Sequence, residues 1–159
     1  MIQRLLKAED LGIRLEIVRG IPIWEAQPLK RHQKVVDQVR ATIQSTESSS
    51  CECVHYADIY VAFPDGSLKR PDIAIFCREP DEEDEAVTLV PEAVIEVISQ
   101  GYEFKDLELG PMFYLSQGVK DVVVLDPRSK AIIHSRRDGV VRLESPTRIQ
   151  LECGCECRV

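Results

Sequence analysis

Residues 91–127, PEAVIEVISQGYEFKDLELGPMFYLSQGVKDVVVLDP, constrain the fold more than any other stretch of the chain. The segment opens with an apolar run, Ala93 to Ile98, and closes with another, Val122 to Leu125. Both are rich in β-branched residues and bounded by polar residues, Gly or Pro, so both read as buried strands. A helix-length stretch lies between them. Two buried strands joined by a helix form a crossover, the unit of a parallel or mixed sheet. Glu96 interrupts the first strand, and alternation places it on the same face as Val94 and Ile98. A carboxylate there is costly unless it is paired, hydrogen-bonded or bound to a cation. Either that face is wet near a sheet edge, or Glu96 lines a site.

A second acid stands against a buried strand. Val54 to Phe63 and Leu68 to Phe76 read as an antiparallel hairpin closed by the Pro64-Asp65-Gly66-Ser67 turn. Asp72 opens the apolar part of the returning strand, directly after Pro71. A proline cannot donate to a ladder, so this point is an edge, a bulge or a strand start.

Upstream, residues 1–12 read as a short helix ending at Gly12. Ile13 to Val18 and Ile21 to Trp24 form a hairpin about Arg19-Gly20. Glu16 lies on the face opposite Leu15 and Ile17, as the wet side of that hairpin would require. Residues 29–46 form the clearest amphipathic helix, with Val35, Val39 and Ile43 in one stripe and Val36 alongside. Its polar side carries Lys30, Arg31, His32, Lys34 and Arg40, either a solvated face or a patch for a phosphate backbone. Downstream, Gly110-Pro111 marks a helix start or kink, and Gly118 a helix end. Short strands from Val122 to Leu151 then read as a meander closing the sheet.

A chain of 159 residues suits one domain, residues 1–159. No stretch is long and apolar enough to span a membrane, and the first residues lack the apolar core of a secretory signal. A soluble, cytoplasmic protein is expected. The net charge of −7 looks unfriendly to nucleic acid. Residues 78–85 (REPDEEDE) carry −5 of it, however, in what reads as a solvated loop. The six cysteines include the close sets Cys51/Cys53 and Cys153/Cys155/Cys157, with Cys77 alone. Cys-x-Cys is not the usual zinc spacing, so free thiols are the first expectation. A structural metal shared between the two sets is the alternative.

Asp72 and Glu96 are thus two strand-borne carboxylates that a sheet could bring together. Two close acids need compensation, and a divalent cation with hard oxygen ligands, Mg²⁺ or Mn²⁺, supplies it. Such an ion activates water and stabilises charge on a phosphate, and a nearby lysine would complete the site. The run of RPDIAIF, acidic spacer, PEAVIEVIS and KDLELGPMFYLSQGVKDVVVLDP resembles the Uma-type endonuclease family of the PD-(D/E)-x-K restriction-endonuclease-like superfamily. The resemblance covers nearly the whole chain. It implies an α/β (α+β) fold: a mixed β-sheet flanked by helices, with the N-terminal hairpin and the C-terminal meander as additions. It also implies metal-dependent phosphodiester cleavage with Asp72 and Glu96 as metal ligands. Its partner would be nucleic acid, DNA before RNA, with a homodimer left open and no membrane. The chain departs from the pattern at the lysine. That residue would stand four positions after Asp106 and four before Tyr114, where this chain has Gly110. Lys105 is the nearest substitute. Two other readings stay beside this one: a catalytically degenerate binding or regulatory module of the same fold, and a small structural protein whose cysteines bind zinc.

Overall fold

The computed structural model describes residues 1–101, 103, 107 and 109–159. The chain begins with α1 (Ile2–Asp10), β1 (Leu15–Val18), β2 (Ile21–Trp24), α2 (Lys30–Arg40) and β3 (Gln44–Ser45). It continues with β4 (Val54–Tyr56), β5 (Val61–Ala62), β6 (Leu68–Lys69), β7 (Ile73–Phe76) and β8 (Ala93–Val97). After α3 (Gly110–Ser116) come β9 (Asp121–Leu125), β10 (Ala131–Arg136), β11 (Gly139–Glu144), β12 (Arg148–Gln150) and β13 (Cys155–Arg158).

The crossover expected from residues 91–127 organises the molecule. β8 and β9 run parallel, from Ala93 beside Asp121 to Val97 beside Leu125. Both are buried along their whole length, as unbroken apolar strands covered on both faces must be. They sit at the centre of a six-stranded sheet of order β11-β10-β9-β8-β7-β4, whose other pairings are antiparallel. The mixed sheet flanked by helices is therefore present. On one face Ile73, Ile75, Ile95 and Val123 pack with Val36 and Val39 of α2 and with Ile149, Leu151 and Cys157. On the other, Ala74, Phe76, Val94 and Val122 pack with Phe113 and Tyr114 of α3 and with Val61 and Phe63. The N-terminal hairpin is also present. Arg19 and Gly20 take φ of 50° and 81°, the paired positive values that a tight two-residue hairpin turn needs.

The expected hairpin of residues 54–76 is split between two sheets. β4 pairs with β7 in the central sheet, whereas β5 pairs with β6 in a four-stranded sheet of order β2-β1-β6-β5. Both strands break at the same level. Asp58 adopts φ 60°, and its N–H donates to the Pro71 carbonyl at 3.2 Å. A left-handed residue facing a proline leaves neither strand able to continue its ladder.

Two more expectations change. The helix read over residues 29–46 ends at Arg40, where the Thr42 hydroxyl donates to the Val39 carbonyl at 2.7 Å and the chain turns into β3. The meander extends the central sheet only through β11. β12 and β13 leave it and form a separate three-stranded sheet, β12-β13-β3. The cysteines differ from the free-thiol expectation as well: Cys51–Cys77 and Cys53–Cys155 are disulfides, and Cys153 and Cys157 are free. The cause is topological: the β4–β7 pairing sets Cys77 beside the segment before β4, and β13 returns the chain's end to the same segment.

Candidate active site

β7 and β8 pair with Ile73 opposite Ile95 and Ala74 opposite Val94. Continuing that register by one residue sets Asp72 opposite Glu96. The two acids meet because Pro71 stops the ladder just before Asp72 and frees its side chain from the sheet edge. Their contacts are crossed. The Val97 N–H donates to Asp72 Oδ2 at 2.7 Å, and the Asp72 N–H donates to Glu96 Oε2 at 3.2 Å. His32, the third residue of α2, places Nε2 3.1 Å from Asp72 Oδ2. Tyr114 on α3 donates its hydroxyl to Glu96 Oε1 at 2.6 Å. Burial, with the charges of Glu96 and Glu16 nearby, pushes the Tyr114 phenol well above its ordinary value, so it stays a neutral donor to the carboxylate. These donors supply the compensation that two facing acids require.

The same sheet corner contains an ion pair that alternation along β1 did not reveal. Glu16, expected on a wet face, is 1% exposed. Its carboxylate accepts from Lys69 Nζ at 2.7 Å and from the Arg70 N–H at 2.7 Å. Lys69 Nζ lies 5.1 Å from the centre of the Tyr114 ring, close enough for a cation–π contact. β6 pairs with the edge of β1 and sets Lys69 beside Glu16, and the Phe113 and Tyr114 rings of α3 lie over Lys69, closing the face that the hairpin alone would have left wet. Beside it, Arg70 bonds Asp58 through Nη2 at 2.9 Å and Glu9 through Nη1 at 2.8 Å. Arg14 Nη2 reaches Asp58 at 2.6 Å. Burial works against the Arg70 charge, but Glu9 and Asp58 hold its pKa above the ordinary value.

Asp72 and Glu96 stand in the wall of a cleft of about 430 Å³ bordered by α2, the Ala57–Asp58 bend and the end of β8. Arg14, Arg40 and Arg70 line it with His32, as do the acids Glu25, Asp37 and Asp58. Of the basic residues expected on the first long helix, His32 and Arg40 therefore face the cleft. Lys105 and Asp106 lie outside the described residues. Gly110 is buried at the start of α3.

The donor set fits a hard divalent cation. Both expected ligands are carboxylates, and Asp72 Oδ1 accepts no hydrogen bond among the described residues. Mg²⁺ is commonly held by one or two carboxylates while keeping several waters, and a cleft of this size has room for them. Tyr114 and Lys69 are the participants that the sequence left out. Tyr114 served only as a landmark in the motif. Lys69 immediately precedes Arg70-Pro71-Asp72, and that adjacency was the one available signal.

A family model described as Uma2, putative restriction endonuclease, matches residues 2–152. Among solved structures, a putative nuclease belonging to DUF820 from Anabaena variabilis ATCC 29413 is similar with a TM-score of 0.61 at 18% identity. The match covers 84% of this chain and 78% of that one, and at this identity it speaks for the fold. No curated protein matches the sequence.

Proposed function

The chain belongs to the Uma2 family, and from that premise we propose a divalent-metal-dependent nuclease in which Asp72 and Glu96 hold Mg²⁺ or Mn²⁺. The observation that supports this most is the pair itself: two carboxylates opposite each other on adjacent strands, with the Asp72 N–H donating to Glu96 and the Val97 N–H to Asp72, in a cleft lined by both arginines and acids. A bound ion would acidify water and neutralise charge on a phosphodiester. The chain's own groups supply orientation. His32 and the Val97 N–H fix Asp72, Tyr114 fixes Glu96, and Lys69 offsets the negative charge of Glu16 behind them. Arg40 would present donors to a phosphate backbone, while Arg14 and Arg70 are paired with Asp58 and Glu9, with DNA as the substrate proposed first. No helix among the described residues is long and apolar enough to cross a membrane.

One observation favours the binding-module reading. Lys69 is committed to Glu16, and Gly110 stands where the motif would have a lysine. Lys105 is retained as the candidate that would assist the attacking water. Nicking of supercoiled DNA in Mn²⁺ tests the proposal. Asp72→Asn and Glu96→Gln should each lower the rate by more than about 100-fold, the upper range for losing even an outer-shell partner. Lys105→Ala should do the same. Nicking that survives both acid variants would remove the metal site from the chemistry. Loss in the acid variants with no change in Lys105→Ala would release Lys105 from its role.

A further inference from the structure

Five of the six cysteines gather at one point of the fold, away from the cleft. Cys51 and Cys53 come from the segment before β4, Cys77 follows β7, and Cys153 and Cys155 flank the turn into β13. Asp72 precedes β7 and Cys77 follows it, so the two sites are separated by about 16 Å of strand at about 3.3 Å per residue. The bridges Cys51–Cys77 and Cys53–Cys155 use four of the five sulfurs. They lie side by side, with Cys51 Sγ 3.4 Å from Cys155 Sγ although the two are not bonded to each other. The fifth sulfur, Cys153, joins them: the Sγ atoms of Cys51, Cys153 and Cys155 all lie within 4.8 Å of one another. In a tetrahedral thiolate site with Zn–S bonds of about 2.3 Å, sulfurs stand about 3.8 Å apart.

The backbone around these sulfurs is fixed without help from the bridges. Ser49 Oγ accepts from the Cys51 N–H at 3.0 Å and donates to the Cys153 carbonyl at 3.3 Å. The Thr46 N–H and hydroxyl both donate to the Gly154 carbonyl, at 2.9 and 3.0 Å. Gly154 takes φ 95°, and a Cβ there would sit 2.2 Å from Ser49 Oγ. Only glycine lets the turn approach so closely, and that approach sets Cys153 and Cys155 against Cys51.

We propose that, with both bridges reduced, Cys51, Cys153 and Cys155 together with Cys77 or Cys53 hold one soft divalent ion of the zinc class. A pair of disulfides has no use for a third sulfur beside Cys51 and Cys155, whereas a four-thiolate site does. Cys51 and Cys155 are buried and Cys153 is partly buried, and four protein sulfurs would leave no open position, as in structural thiolate sites. It would tie the turn into β13 to the segment before β4. Reduction is by a phosphine: each bridge becomes two thiols, and the phosphine takes oxygen from one water to become its oxide. Each thiol that binds the ion releases its proton.

The test is an anaerobic Co²⁺ titration of the phosphine-reduced full-length chain, read by absorption. The expected result is one equivalent bound with the sulfur-to-cobalt charge-transfer and intense visible bands of a tetrahedral thiolate site, displaced by Zn²⁺. Cys153→Ser touches neither bridge, so its fold can be checked in the oxidised protein. It should weaken binding by more than about 100-fold, while Cys157→Ser leaves it unchanged. Cys53→Ser and Cys77→Ser identify the fourth ligand by which of them loses the bands. Absence of the thiolate bands in reduced wild-type protein would overturn the proposal, as would bands indifferent to Cys153→Ser. Neither outcome bears on the carboxylate site, whose hard oxygen donors are read with Mn²⁺ instead.

Discussion

Lys69 and Glu16 face each other across the β1–β6 pairing with 5% and 1% of their side chains exposed. A charge pair this deep adds little over apolar neighbours of the same shape, but removing one partner strands the other. Glu16→Gln should therefore destabilise the protein by about 3 kcal/mol or more, measured by denaturant unfolding. Glu16→Gln combined with Lys69→Met should recover much of that loss, because no buried charge is then left alone. A loss in the single variant below about 1 kcal/mol, the ceiling for exposed pairs, would show the pair to be solvated. The sequence displayed both residues but not their meeting. Alternation along β1 fixes which way Glu16 points, and only the arrival of Lys69 on β6 and of the α3 aromatics decides whether that side is wet. Asp72 and Glu96 were legible for the opposite reason. Each sits beside an apolar run that local pattern alone marks as buried, and a carboxylate there is conspicuous from its neighbours.

At the scale of elements, Asp121 shows how one side chain ties strands together. It opens β9, is fully buried, and accepts from His134 at 2.7 Å and Arg136 at 2.6 Å on β10. It also accepts the Glu152 N–H at 2.8 Å, beyond β12. Burial pushes its pKa up, but the bonds from His134, Arg136 and Glu152 outweigh burial and hold it below the ordinary 3.8. A carboxyl with a lowered folded pKa stabilises the fold above its unfolded value and loses that contribution as pH falls through the folded one. Wild-type stability should therefore fall as pH drops below about 4. Asp121→Asn should cost about 2 kcal/mol near neutral pH and show a shallower acid limb in a series of urea melts from pH 6 to pH 2. An unchanged acid limb would remove Asp121 from the pH response. The strand–helix–strand unit and the N-terminal hairpin were readable because periodicity and turn residues agree there. The break at Asp58 was not. Val54 to Phe63 is strand-prone on both sides of Ala57-Asp58, and the change of sheet there is accompanied by Arg14 and Arg70 converging on Asp58 from distant positions. β13 escaped notice because the strands expected from the sequence stop at Leu151 and its alternating cysteines read first as free thiols.

For the whole molecule, most of the net charge of −7 lies in the acidic run of residues 78–85, away from the Asp72/Glu96 pair. The acidic run follows Cys77 at one end of β7, and Asp72 stands at the other. That separation of about 16 Å by strand rise exceeds the Debye length of about 10 Å at 0.1 M salt. The cleft itself mixes Arg14, Arg40 and Arg70 with Glu25, Asp37, Asp58 and the Asp72/Glu96 pair, so a bound cation is what would make it favourable to a phosphate. The molecule thus keeps its acidic run at one end of β7 and the Asp72/Glu96 pair at the other, with the cysteine cluster beside the acidic end. The most direct measurement of the central claim is a calorimetric titration of Mn²⁺ into the wild-type protein and into Glu96→Gln. The glutamine keeps the shape of the side chain and an acceptor for Tyr114, so the fold is preserved while the ligand charge is lost. The account predicts saturable binding to the wild type that is lost in the variant. Equal binding in both, or none in either, would contradict a metal held by Asp72 and Glu96.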